Sequence, residues 1–296
     1  MEPDRHPLRA RLLILAAAVL FSTGGAAIKA TTLEGWQVAS FRSGVAAIAV
    51  FLMLPGSRRR PTPRIAAVSL AYAATLILFV LATKTTTAAN AIFLQSTAPI
   101  YVVLLGPWLL KEPVRRRDLL FLLILGAGMS LFFVAREAPQ ATAPAPLTGN
   151  LLALLSGLAW AFTLVGLRAI GRRESEGGPG GATAVLYGNL AACLLALPAA
   201  LPLRQATTGD LLVILYLGVV QIGVAYACLT AALRHVGALA ATLLLFVEPA
   251  LNPIGAYLAH GERVAPTALL GGIVILAATF VKTALDLRPL RAAARD

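Results

Sequence analysis

A chain of 296 residues that is 58% hydrophobic and only 13% charged lacks the polar surface to cover a soluble fold, since soluble chains carry about 25% charged residues. Its formal charge of +12 would suit a nucleic-acid partner, but the basic residues fall in alternate loops between long apolar runs, which excludes that reading. The runs are rich in Ala and Leu and about twice the roughly ten-residue strands of a membrane β-barrel, so they are helices.

A hydrocarbon core about 30 Å thick takes roughly 20 apolar residues per helix. Ten such spans are predicted, near 12–30, 36–54, 65–83, 88–110, 118–135, 148–168, 182–203, 210–232, 237–259 and 264–284. The start of the chain has the basic flank and small residues of a signal peptide, but nine further spans make it a retained first helix. Arg42 lies about two turns into span 2. It either snorkels to the interface or faces a vestibule and meets a substrate carboxylate. Phe79 lies at mid-depth in span 3, and Gln95, Ala98 and Pro99 in span 4, with Glu112 beyond its end. The polar stretch PQATAPAP, 139–146, reads as a linker. Beyond it, Trp160, Tyr187 and Tyr226 lie at mid-depth in spans 6, 7 and 8; span 9 carries Phe246, Glu248, Pro249 and Asn252, with Glu262 at its end. Trp36 and Trp108, at span ends, read as interfacial anchors. Cys193 and Cys228 fall inside spans and read as packing residues.

Charge sets the orientation. Nineteen Lys and Arg residues lie in loops on one side and five on the other, which places both termini in the cytoplasm. The two halves also repeat. At an offset of 150 residues Pro99 meets Pro249, Glu112 meets Glu262, Leu94 meets Leu244 and Lys84 meets Arg234; at 139, Phe21 meets Trp160 and Lys29 meets Arg168. Five spans per copy is odd, so the second copy runs opposite to the first. The expected class is an all-α polytopic membrane protein of ten transmembrane helices in two inverted five-helix repeats. The first repeat is expected over 1–137, a linker over 138–146, the second repeat over 147–285 and a cytoplasmic tail over 286–296. Inverted repeats with helices broken at matching positions mark secondary transporters, whose sites lie near the midplane.

The ten-span layout, the duplication and the Pro…Glu pattern of Pro99/Glu112 and Pro249/Glu262 resemble the drug/metabolite transporter superfamily, EamA type, over residues 10–285. Within it the chain is most similar to aromatic amino-acid exporters. The resemblance implies a multi-pass exporter of amino acids or related metabolites in the bacterial inner membrane. Spans 1–4 and 6–9 would surround a cavity, with spans 5 and 10 outside it. The partners it implies are a small-molecule substrate and the lipid bilayer, and a monomer is compatible with it.

The residues themselves supply a candidate cavity face. Ala91, Gln95, Ala98 and Val102 share one face of span 4, and Ala241, Leu245, Glu248 and Asn252 the equivalent face of span 9. Gln95 and Asn252 serve either function or helix contact. Trp160 is the aromatic best placed to stack on a solute, because a mid-span indole N–H needs a partner or cavity water. Ser22, Thr23, Asn189 and Gln221 are weaker candidates, and Glu112 and Glu262 are expected to hold the turns between spans. Glu248 is the only acid deep within a span. A charge there costs roughly 3 kcal/mol on insertion scales, so such residues usually face a cavity or a partner. It would bind a substrate ammonium group, carry a coupling proton or bridge the span 9 kink. No HExxH, GxSxG or Walker A sequence occurs, and no cofactor or metal is called for. The alternatives are a proton-coupled transporter of drugs or toxic compounds or of other metabolites such as nucleosides or sugars, and, from another class, a non-transporting membrane scaffold or receptor.

Overall fold

The computed structural model describes residues 6–109, 116–134, 139–171, 180–203, 206–232 and 244–286. Within them the long elements are all helical and follow the expected spans. Span 1 comprises His6–Ser22 and Gly24–Ala30, span 2 Gly35–Met53, span 3 Pro63–Thr85, and span 4 Ala88–Gln95 and Ala98–Leu109. Span 5 is Arg116–Val134, span 6 Pro146–Gly171 and span 7 Gly180–Ala200. Span 8 runs from Thr208 to Ala232, span 9 includes Val247–His260, and span 10 is Pro266–Asp286. The expected start of span 9, near 237, lies outside the described residues. Among the described residues, eight helices are long and apolar enough to cross a membrane, and Pro266–Lys282 adds a shorter apolar stretch.

Local chemistry fixes where the helices begin. Glu34 and Gln37 form a reciprocal capping box at span 2, and Thr207 and Asp210 form one at span 8. Thr62 accepts the Ile65 N–H at span 3, and Thr87 accepts the Asn90 N–H at span 4. Asp210 also accepts the Thr32 N–H at 2.7 Å, which ties the turn after span 1 to span 8.

Spans 3 and 6 pack along each other, span 7 lies against spans 2 and 3, and spans 5 and 10 pair with each other, with span 4 their main contact to the rest of the bundle. Spans 5 and 10 therefore sit outside the group that surrounds the cavity, as the family resemblance implies. Lys282 of span 10 pairs with Asp118 of span 5 at 2.6 Å.

The matched helix breaks are present, displaced from where the prolines alone suggest. Span 4 turns at Ser96–Thr97 and span 9 at Phe246, positions related by the same 150-residue offset. Pro99 and Pro249 lie in the first turn of the segments that follow. A missing N–H is harmless there, because first-turn N–H groups have no intrahelical acceptor. The carbonyls that lose a donor are those of Gln95 and Leu245, one turn upstream.

Two features of the helices were not foreseen. Span 1 turns at Thr23, whose hydroxyl donates to the Leu20 carbonyl at 2.7 Å and lies 2.8 Å from the Tyr216 hydroxyl. Span 8 is a π-helix over Tyr216–Val224. Gly218 and Gly223 keep this wide segment against span 2: a Cβ added at either would fall 2.5 Å from Val45 Cβ or 2.8 Å from Ala49 Cβ.

Candidate functional site

The two halves enclose a cavity of about 380 Å³, lined by residues from all eight central spans. Its wall runs from Phe21, Phe79 and Ile92 at mid-depth to Leu167, Ala184, Leu229 and Leu245 towards the end of the bundle where span 1 begins. Among the described residues, none at the opposite end, where the linker lies, lines the cavity.

Four aromatic rings form a connected wall. Phe21 meets Tyr226 edge-on at 5.2 Å, Tyr226 meets Tyr72 at 6.3 Å, and Tyr72 lies 6.3 Å from Trp160. The Tyr72 hydroxyl donates to the Tyr226 hydroxyl at 2.9 Å. Phe21 and Trp160 are repeat mates, so the duplication places one ring from each half in the cavity. Span 7 lets Tyr72 in through Gly188, whose added Cβ would fall 2.6 Å from the ring.

Gln95 sits at the span 4 break. Its Nε2 donates to Ser156 Oγ at 2.7 Å, and Ser156 Oγ donates to the Thr75 carbonyl at 3.1 Å. Span 6 comes this close because of Gly157, whose added Cβ would meet the Gln95 carbonyl at 3.1 Å. That amide is thus oriented by spans 3 and 6, and its own carbonyl oxygen remains available as an acceptor.

The charges are the sharpest feature. Arg42 is 3% exposed and lines the cavity, and its Nε has no hydrogen-bond partner. It faces inward and does not snorkel. Tyr72 and Tyr226 line the same cavity. Glu248 lines the same cavity from span 9. Among the described residues neither takes part in an ion pair, so the cavity holds one basic and one acidic side chain that do not pair with each other.

Of the residues expected in the cavity, Arg42, Phe79, Gln95, Trp160, Tyr226 and Glu248 line it, as do the weaker candidate Gln221 and the helix-break residue Pro249. The others lie elsewhere. Ala98 and Asn252 are each 1% exposed and packed between helices. Tyr187 is half-buried against the core formed by spans 2, 3, 7 and 8, and Phe246 meets Phe280 of span 10 at 6.2 Å. Glu262 is buried at the linker end, while Glu112 lies outside the described residues. Phe21, Thr75 and Tyr72 join the lining without having been singled out; the Phe21–Trp160 repeat match was the signal for the first of them.

The sequence profile of the EamA-like transporter family matches residues 8–134 and again 147–283, once on each half. An uncharacterized protein of Pseudomonas aeruginosa, PA1977, is 34% identical over 304 aligned positions, covering 93% of this chain and 96% of the relative. An uncharacterized transporter of Clostridium kluyveri is 22% identical over 200 positions. That match covers 66% of this chain but 63% of the relative, less than two thirds of its length. A protein of known crystal structure superposes with a TM-score of 0.62 at 19% identity, over 94% of this chain and 98% of its own. That likeness concerns the fold.

Proposed function

Because the chain belongs to the EamA-like transporter family, we propose that it is a secondary transporter, working without ATP, that exports amino acids by alternating access. The observation that carries this reading is the pair of unpartnered ionisable side chains, buried Arg42 and half-buried Glu248, in one cavity. Burying a lone charge is costly unless a partner arrives. A zwitterion brings both partners at once: its carboxylate satisfies Arg42 and its ammonium satisfies Glu248. Glu248 is then also the group that a coupling proton would occupy when the substrate is absent. The ring wall of Phe21, Tyr226, Tyr72 and Trp160 supplies an apolar and quadrupolar surface for the side chain. The volume falls in the range of about 300–1,000 Å³ usual for small-molecule sites.

Orientation follows from the loop charges. With both termini in the cytoplasm of a bacterium and the chain in its inner membrane, the cavity extends towards the cytoplasmic face, which is the loading side for export. Cells overproducing the protein should resist toxic analogues of neutral or aromatic amino acids. Trp160→Ala and Gln95→Ala should each remove most of that resistance at unchanged protein level in the membrane, since one deletes the stacking ring and the other a carbonyl held in place by Ser156. Full resistance in both variants excludes them from the site.

A further inference from the structure

The linker end of the bundle holds a second group of charges, separate from the cavity. Lys29 Nζ and Glu262 Oε1 lie 3.0 Å apart, with side chains 3% and 1% exposed. Glu262 Oε2 accepts the N–H of Ala88, the first residue of span 4, at 2.8 Å. Lys29 Nζ also donates to the Thr86 carbonyl at 2.8 Å and to the Thr142 carbonyl of the linker. One ion pair therefore joins the last turn of span 1, the chain just past span 9, the N-terminus of span 4 and the linker. Its two charges come from different repeats.

Between this pair and the cavity lies a tightly packed layer. Gly25 of span 1 is buried where an added Cβ would fall 2.5 Å from Asn252 Oδ1 and 2.9 Å from Ala88 Cβ. Spans 1, 4 and 9 thus touch at a single level, and beyond it Lys29 and Glu262 close the same three elements. Anything leaving the cavity at the linker end between these spans must part both levels. A buried ion pair is a weak source of net stability, because desolvation offsets most of the attraction. It is, however, strongly state-dependent, since water entering the gap screens it.

We propose that the Lys29–Glu262 pair is the latch that holds the linker end of the transport path shut, and that it sets how the protein divides its time between its two orientations. The proposal rests on the alternating-access reading, but its test needs no substrate. A reporter cysteine replaces Ser96, which lines the cavity at the span 4 break, in a background with Cys193→Ser and Cys228→Ser. Membrane vesicles are then exposed to an impermeant thiol reagent from the linker side only, with labelling from the opposite side as the control for folding.

The latched protein should label slowly. Glu262→Gln keeps an acceptor for the Ala88 N–H but removes the charge, and it should speed labelling roughly tenfold, within the usual range of conformational coupling. Lys29→Met should do the same, whereas Lys29→Arg, which keeps the charge, should stay near the unmodified rate. Unchanged labelling in Glu262→Gln and Lys29→Met overturns the proposal, as does Lys29→Arg labelling as fast as Lys29→Met. Faster labelling in a protein that moves no solute leaves the latch standing and removes the transport reading instead.

Discussion

Glu248→Gln and Arg42→Gln are each expected to raise the half-saturation concentration for a zwitterionic amino acid about 30-fold or more. Truncating one partner of a buried charge pair typically costs about 2–5 kcal/mol, and 1.4 kcal/mol is tenfold. The two losses should differ in kind. Arg42→Gln should spare recognition of a decarboxylated amine, which never used the guanidinium. Glu248→Gln should spare recognition of an N-acylated acid, which has no ammonium group to place. Competition by these analogues against a labelled amino acid in proteoliposomes reads both preferences. The empty protein should behave oppositely: Arg42 has no counter-ion in the described structure, so Arg42→Gln should melt no lower than the unmodified chain. Loss of recognition accompanied by a large fall in melting temperature would make Arg42 a structural residue.

The largest effect on folding is expected at Gly149. A Cβ there would fall 2.5 Å from the Thr86 backbone nitrogen and 2.5 Å from Thr86 Cβ. Backbone cannot rotate away as a side chain can, so the start of span 6 would have to move off the turn between spans 3 and 4. Thr86 is also a hub: its carbonyl accepts from Lys29, and its hydroxyl donates to Asn150 Oδ1 at 2.8 Å. Overpacking of this kind costs about 1–3 kcal/mol for small additions and more for large ones. Gly149→Leu should therefore lower the yield of folded protein sharply, and Gly149→Ala should lower the melting temperature. Gly126→Ala is the control, because a Cβ at Gly126 meets nothing within 4 Å. Equal melting of Gly149→Ala and Gly126→Ala would show that the close approach is absent.

Much of this architecture was legible in the sequence because a bilayer imposes length and polarity on every span. The 150-residue offset even located the matched breaks. It misjudged their position by about one turn, since the prolines occupy the first turn after the break. Helix rotation was harder to read. Asn252 shares a face with Glu248, one turn apart, yet that turn carries it out of the cavity and onto Gly25. Phe246 and Tyr187 lie at the right depth but face span 10 and the inter-helix core. Neighbouring helices decide such rotations, and uniformly apolar spans carry too little periodic contrast to show them. Arg42 was left between two fates for the same reason, and in the structure it is buried in the cavity lining. Glu262 was expected to hold the turn between spans; in the structure it accepts the N–H of Ala88 at the start of span 4. Its pairing with Lys29 joins opposite ends of the sequence and left no local trace.

Transport of a zwitterion by this chain alone is the central claim, and counterflow tests it most directly. Liposomes containing only this protein, loaded with an unlabelled neutral amino acid, should accumulate the labelled form from outside without ATP. The corresponding amino-acid ester or N-acyl derivative on the inside should drive far less uptake, because each lacks one of the two charges that Arg42 and Glu248 match. Failure of every amino acid in a broad panel to exchange, by protein that melts cooperatively in the same membranes, would contradict the account.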